Sequence, residues 1–196
     1  DSKIIFELIK KNGGRIFMSS IKHESGSDRI AEFASEIKAD LILNVQGDEP
    51  FIDKQSLKKL IDVFNNDFQN IIDLASLMQP IIEPIDIDNP NNVKVVVDNN
   101  NFAIYFSRSV VPYNRLNIKN TNYFKHIGVY AFRKESLLYF YKSKPSPLEK
   151  LEKLEQLRYL ENGKKIKMVK TNYNGHGIDV MEDLINARKI VNEQSS

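Results

Sequence analysis

Two adjacent carboxylates, Asp48 and Glu49, follow Gln46 and Gly47 at the end of an apolar run, Leu41–Val45. Hard carboxylate oxygens suit Mg²⁺ bridging to phosphate, and Gly47 would let a ligand approach the backbone closely. In an open α/β sheet, ligands bind beyond the carboxyl ends of the parallel strands, so the placement points to a site. A merely solvated turn is the competing reading, because turns favour these residue types. Ser25-Gly26-Ser27-Asp28-Arg29 sits at a helix start. Backbone N–H groups there, with Arg29, could hold a nucleotide. Simple capping by Ser25 or Ser27 would also explain the serines.

Further along, a helix running from Pro147 would carry Glu155 between Leu148 and Leu151 on its apolar arc. A carboxylate there needs a partner or a shifted pKa, unless it lies at the edge of the stripe. Gln156 points further toward the polar side. His126 lies beside a strand at Ile127–Phe132, and Arg108 follows a strand ending at Phe106. Each is either a ligand or a structural residue. Asp179, with Glu182 three residues on, reads as a helix N-cap. Three histidines without regular spacing make no metal cluster. Neither a Walker A loop nor a nucleophile elbow is present. The chain has no cysteine, which excludes disulfides, thiolate catalysis and Cys-based zinc sites.

Hydrophobic periodicity supplies the frame that must hold these groups. Ile5, Leu8 and Ile9 mark an opening helix stopped at Gly13-Gly14, and Arg15–Met18 reads as a short strand. Ile30, Phe33, Ala34 and Ile37 fall on one helix face. Leu41–Val45 reads as a parallel strand covered on both faces. Asp53 caps a helix with the stripe Leu57, Leu60, Ile61 and Phe64. Ile71–Met78, Val93–Val97, Phe102–Phe106 and Ile127–Phe132 read as strands, with Asp98–Asn101 as a hairpin loop. Ser146-Pro147-Leu148-Glu149 is a capping box opening one helix that Gly163 ends. Ile166–Thr171 is a further strand, and a terminal helix runs to about Val191. The order predicts an α/β fold with a Rossmann-like, mostly parallel sheet, helices on both faces, and an antiparallel extension over about 90–132.

At 196 residues the chain is long enough for a core of its own and reads as one domain. The 41% hydrophobic and 28% charged fractions are those of a globular protein, and a net charge of +2 argues against nucleic acid as the main partner. No apolar run reaches membrane-spanning length and no signal peptide opens the chain, so a cytoplasmic location without a membrane partner is the expectation.

In order along the chain, "SGSDRIAEF", "LILNVQGDEPFI", "NPNNVKVVVD", "YFSRSVVPY", "HIGVYAFRKESL", "LEKLEQLRYLENGKKI" and "GIDVMEDL" resemble the 3-deoxy-manno-octulosonate (Kdo) cytidylyltransferases, most specifically at "NVQGDEP" and "LEQLR". The resemblance implies a nucleotide-diphospho-sugar transferase type of fold. It implies attack of the anomeric hydroxyl of Kdo on the α-phosphate of CTP, giving CMP-Kdo and pyrophosphate for lipopolysaccharide assembly. Mg²⁺ is the implied cofactor, held by Asp48 and Asp179. Gln46, Arg108, His126, Tyr130, Glu155 and Gln156 would surround Kdo, with Arg108 on its carboxylate, and Ser25–Arg29 with Gly47 would hold CTP. The family also implies a homodimer, with "YFSRSVVPY" at the contact. Two departures stand out. Val180 and Met181 replace the family's Thr-Pro after the Asp. The family's opening strand and basic triphosphate loop have no match, so a segment on the order of 40 residues, one βαβ-type unit, is expected to be missing. The alternatives are a cytidylyltransferase for another acidic sugar, or a fragment that binds or dimerises without turnover.

Overall fold

The computed structural model describes residues 2–19, 23, 26–119, 121–173, 177–178 and 180–194. Ser2 caps α1 (Lys3–Lys11), accepting from the Ile5 N–H at 3.4 Å. Past its end Gly13 takes a φ of 73°, which glycine adopts without strain. Then follow α2 (Gly26–Ala34), β1 (Leu41–Asn44), α3 (Lys54–Asn65), β2 (Leu74–Pro80), α4 (Pro84–Asp88), β3 (Lys94–Val97), β4 (Ala103–Ser107) and β5 (Phe124–Arg133). The chain continues with α5 (Lys134–Lys142), α6 (Pro147–Glu152), α7 (Gln156–Glu161), β6 (Ile166–Lys170) and α8 (Met181–Gln194).

The strands form one six-stranded mixed sheet with β5 as its axis. β1 and β2 both pair antiparallel with β5, and β6 pairs parallel with β2. β3 meets β5 at Lys94 and Lys125 and carries β4 as its hairpin partner. Strands β1, β2, β3 and β6 therefore point one way, and β4 and β5 the other. The Asp98–Asn101 loop closes its hairpin as expected. The Asp98 N–H donates to the Phe102 carbonyl at 2.9 Å, and the Asp98 carboxylate accepts from the Asn100 and Phe102 N–H groups.

Alternation along β5 divides the core. Tyr130 and Phe132 face α2, α5 and α7 with Ala31, Phe140 and Leu157, whereas Val129 and Ala131 face α3 with Leu60 and Phe64. Asp53 caps α3 as expected, its carboxylate accepting from the Ser56 N–H at 2.8 Å.

Three expectations are corrected. Arg15–Met18 forms no strand, because no described strand lies alongside to complete a ladder; Phe17 instead packs on Phe33 with ring centroids 4.9 Å apart. β1 pairs antiparallel rather than parallel; Leu41 and Ile42 pack into the two core clusters on opposite faces, and only further along does the cover fail, at the exposed Leu43. The helix expected from Pro147 to Gly163 is broken, because Lys153 takes a left-handed φ of 55° between α6 and α7. The break turns Leu154 into the core and leaves Leu151 80% exposed.

Candidate active site

β1 delivers the Gln46–Glu49 turn to the mouth of a cleft of about 610 Å³, a size typical of small-molecule sites. Asp48 and Glu49 stand on one side of it. His126 and Tyr130 from β5, and Arg108 from the end of β4, stand on another, and Glu155 and Gln156 close it from the start of α7. Gln46 lies just behind, since a Cβ added to Gly26 would meet its Oε1 at 3.5 Å. A Cβ on Gly47 would meet nothing within 4 Å, so the backbone there is open. A larger hollow of about 750 Å³ lies against Arg15, Phe17, Phe33 and Lys38, but it gathers no acid or amide groups among the described residues.

The helix break, not an apolar arc, accounts for Glu155. It occupies the N-cap position of α7, and its Oε1 accepts from the Ser27 hydroxyl at 2.7 Å. Ser27 is thus a buried residue inside α2 rather than its cap, with its hydroxyl engaged on Glu155. Asp28 is buried too, 3.7 Å from the Arg158 guanidinium, so its carboxylate faces the interior instead of a nucleotide loop. Arg29 is half-buried. Gln156 does not point to the polar side: it is 3% exposed, because α7 restarts with a new phase after Lys153.

Ser25 and Asp179 lie outside the described residues, but both neighbours of Asp179 are described. The Ile178 N–H donates to the Asp48 carbonyl at 2.8 Å, and a Cβ on Gly177 would lie 3.6 Å from Glu49 Oε1. The Val180 N–H donates to Asp183 Oδ2 at 3.0 Å, and Asp183 lines the cleft. Asp48, Glu49 and Asp183 therefore bring carboxylates to one cavity. No set of three or more metal-ligating side chains gathers among the described residues. That donor set still fits Mg²⁺, which takes one or two protein carboxylates and completes its shell with water and phosphate oxygens.

The guanidinium of Arg108 is held by neutral partners, while its main-chain N–H donates to Glu152 Oε2 at 3.0 Å. Its Nε donates to the Glu152 carbonyl at 2.9 Å and its Nη1 to the Pro90 carbonyl at 3.1 Å, which leaves its charge available to an anion in the cleft. Beneath it, fully buried Lys94 donates from Nζ to the carbonyls of Arg108 at 2.6 Å and Asn89 at 3.0 Å. Burial lowers the Lys94 pKa, against the pull of Asp88 and Glu152. Lys94 ties Arg108 to the Asn89–Asn92 loop, which lines the cleft although its composition reads as turn sequence.

The inner wall is one hydrogen-bonded chain. Tyr130 donates from its hydroxyl to Gln156 Oε1 at 3.5 Å, Gln156 Nε2 lies 3.4 Å from His126 Nδ1, and His126 Nε2 lies 2.9 Å from the Ser76 hydroxyl. Burial, reinforced by the Glu155 charge, pushes the Tyr130 pKa well up, so the hydroxyl keeps its proton. Burial also holds the His126 imidazole at about 3, far below its ordinary 6.5. Between those values the unfolded chain binds a proton that the folded chain does not, so stability falls as pH drops through the window, by roughly 1.4 kcal/mol per unit. Urea unfolding between pH 6.5 and 4 is expected to show that slope, and His126→Gln to remove it. An unchanged slope in the variant would assign the titration to other groups.

A family model described as cytidylyltransferase matches residues 1–166. The 3-deoxy-manno-octulosonate cytidylyltransferase of Flavobacterium johnsoniae is 55% identical over 193 residues, covering 98% of this chain and 79% of that protein. The protein of the same name from Fusobacterium nucleatum is 42% identical over 187 residues, covering 94% and 74%. The solved structure of CMP:2-keto-3-deoxy-manno-octonic acid synthetase complexed with CTP superposes with a TM-score of 0.91 at 32% identity, covering 99% of this chain and 79% of that one.

Proposed function

This chain belongs to the 3-deoxy-manno-octulosonate cytidylyltransferase family, and we propose that it transfers the cytidylyl group of CTP to Kdo, releasing pyrophosphate for lipopolysaccharide synthesis. One observation carries the reading: a single cleft joins the acidic turn after β1 to an arginine whose guanidinium rests on neutral carbonyls and to a buried wall of amide, phenol and imidazole. That combination suits a substrate that is both an acid and a polyol, beside a phosphate handled by carboxylates.

In this mechanism Arg108 pairs with the Kdo carboxylate and fixes the sugar's orientation. Tyr130, Gln156 and Glu155 take its hydroxyls, and His126, neutral at working pH, holds Gln156 in place. Gln46 belongs with the sugar shell, and Gly47, Gly26 and Arg29 border the nucleotide. Asp48 and Asp179 would hold Mg²⁺, which when bound neutralises charge on the phosphates. The anomeric oxygen forms the new bond to the α-phosphorus as the bond to pyrophosphate breaks, and its hydroxyl proton passes to solvent water. The protein's contribution is to hold both reactants in line, which converts a bimolecular encounter into a positioned one.

The test is pyrophosphate release by this chain from CTP and Mg²⁺ with Kdo, and in parallel with N-acetylneuraminate. Release that depends on Kdo and is much slower with the other acid is expected. Equal rates would overturn the sugar assignment, and no release with either would favour a binding role.

The reading also assigns a homodimer, supported by an exposed apolar loop after "YFSRSVVPY". Tyr113 and Leu116 are 85% and 78% exposed on a turn that Asn114 fixes through hydrogen bonds to Ile118. Sedimentation velocity at micromolar concentration should find two chains, and the pair Tyr113→Ser and Leu116→Ser should shift the protein toward monomer. A wild-type monomer under those conditions would rule the dimer out. No helix among the described residues is long and apolar enough to cross a membrane. A cytoplasmic site of action fits the need for CTP.

A further inference from the structure

Ser76 is fully buried in the apolar strand β2, where a hydroxyl has no packing reason to be. The β2–β5 register slips beside it: Ser76 opposes Tyr130 while Leu77 opposes Ile127, so Gly128 and Val129 bulge without partners on β2. The Ser76 Oγ lies 2.9 Å from the Val129 carbonyl, 3.1 Å from the Ile127 carbonyl and 2.9 Å from His126 Nε2. Its single proton cannot serve all three acceptors, and of the three only the ring nitrogen can donate instead. The arrangement is satisfied when His126 carries its proton on Nε2 and gives it to Ser76, while Ser76 donates to the bulge carbonyls.

His126 Nδ1 is then bare and takes a proton from Gln156 Nε2, at 3.4 Å, which leaves Gln156 Oε1 facing the Tyr130 hydroxyl at 3.5 Å. The opposite tautomer requires the opposite amide. With the proton on Nδ1, Gln156 must turn its oxygen to His126 and its NH₂ toward Tyr130 and the cleft. The site would then offer donors where it now offers an acceptor.

We propose that Ser76 is a positioning residue of the reaction: it fixes the tautomer of His126 and, through it, which end of the Gln156 amide faces Tyr130 and the sugar. This rests on the reading of the cleft as the Kdo site. A polyol is recognised by the pattern of donors and acceptors around its hydroxyls, so the polarity of one buried amide sets specificity without touching the reacting atoms.

The test combines ring ¹⁵N shifts of His126, identified by their loss in His126→Gln, with steady-state kinetics of the wild type, Ser76→Ala and Ser76→Thr. The wild type should show a protonated Nε2 and a bare Nδ1. Ser76→Ala should move proton density to Nδ1 and raise the KM for Kdo about tenfold, leaving the KM for CTP unchanged. Ser76→Thr keeps the hydroxyl and should restore both readouts. A wild type protonated on Nδ1 would overturn the proposal whether or not either variant folds. So would a Ser76→Ala protein with the wild-type tautomer, or one whose two KM values rise together. The ring shifts need no turnover, so a wild type that ignores Kdo would defeat the functional reading and leave the tautomer result standing.

Discussion

Asp48→Asn is expected to fold as the wild type does and to release pyrophosphate from CTP and Kdo about a thousandfold more slowly. The fold should survive because Asp48 is exposed and its link to Ile178 runs through its backbone carbonyl, which asparagine retains. The activity should not, because the substitution keeps the shape of the side chain and removes the charge that a phosphate-bridging cation needs. Glu49→Gln is the matched control. Glu49 is half-buried and accepts from the Tyr173 hydroxyl at 3.2 Å, a bond that glutamine can also accept, so the loss should be about tenfold or less. Two measurements separate the possibilities: pyrophosphate release across a range of Mg²⁺, and Mn²⁺ affinity by electron paramagnetic resonance. Wild-type rates for Asp48→Asn at saturating Mg²⁺ would sink the assignment of Asp48 to the metal. Equal losses in both variants would indicate general negative potential at the cleft mouth instead of a specific ligand.

That contrast also shows what kind of information the sequence carried. Asp48 is legible because it is local: an apolar run, a glycine and a carboxylate already describe the end of a strand. The capped start of α3 and the Asp98–Asn101 hairpin are legible for the same reason, since each is settled within a few residues. Glu155 stands out in the sequence for a cause that the structure replaces. The left-handed Lys153 breaks the helix on which the arc argument depended, and its partner Ser27 lies 128 positions away. Pairings of that span leave no trace in local periodicity. Ser76 and Lys94 did leave one, since each is a polar residue in a largely apolar strand, Leu74–Pro80 and Lys94–Val97. What neither segment could say is which bulge, ring or carbonyl would take up the polar group. The direction of β1 was hidden too. A run of leucine and isoleucine reads the same whether its neighbour is parallel or antiparallel, and β5, which pairs with it, enters the chain about eighty residues later.

Arg158→Met is expected to cost about 3–5 kcal/mol of stability, more than any other single change discussed, although Arg158 touches neither the acidic turn nor the sugar wall. The residue is 3% exposed and forms a fork on Glu149, Nε to Oε2 at 2.7 Å and Nη2 to Oε1 at 2.5 Å. Its Nη1 donates to the carbonyls of Phe140 and Ser143, both at 3.2 Å, and the guanidinium lies 3.8 Å from the centroid of the Phe140 ring. With Asp28 3.7 Å away, one cation joins α2, α5, α6 and α7. Methionine fills much of the volume but strips the largely buried Glu149 carboxylate of the cation that forks onto it, and that stranded charge is the source of the loss. Glu149 also accepts from the Ser146 N–H at 2.9 Å, so the start of α6 loosens with it. Urea denaturation should read the change directly. Pairing Arg158→Met with Glu149→Gln gives the discriminating result: the double variant should lose clearly less than the sum of the two single losses, because the second substitution removes the charge that the first one stranded. Additive losses would mean that Arg158 acts through its stacking on Phe140 and its carbonyl bonds alone. The consequence for the site is geometric. α7 begins at Gln156, two residues before Arg158, so the ion pair that holds this helix also sets the positions of Glu155 and Gln156 in the cleft.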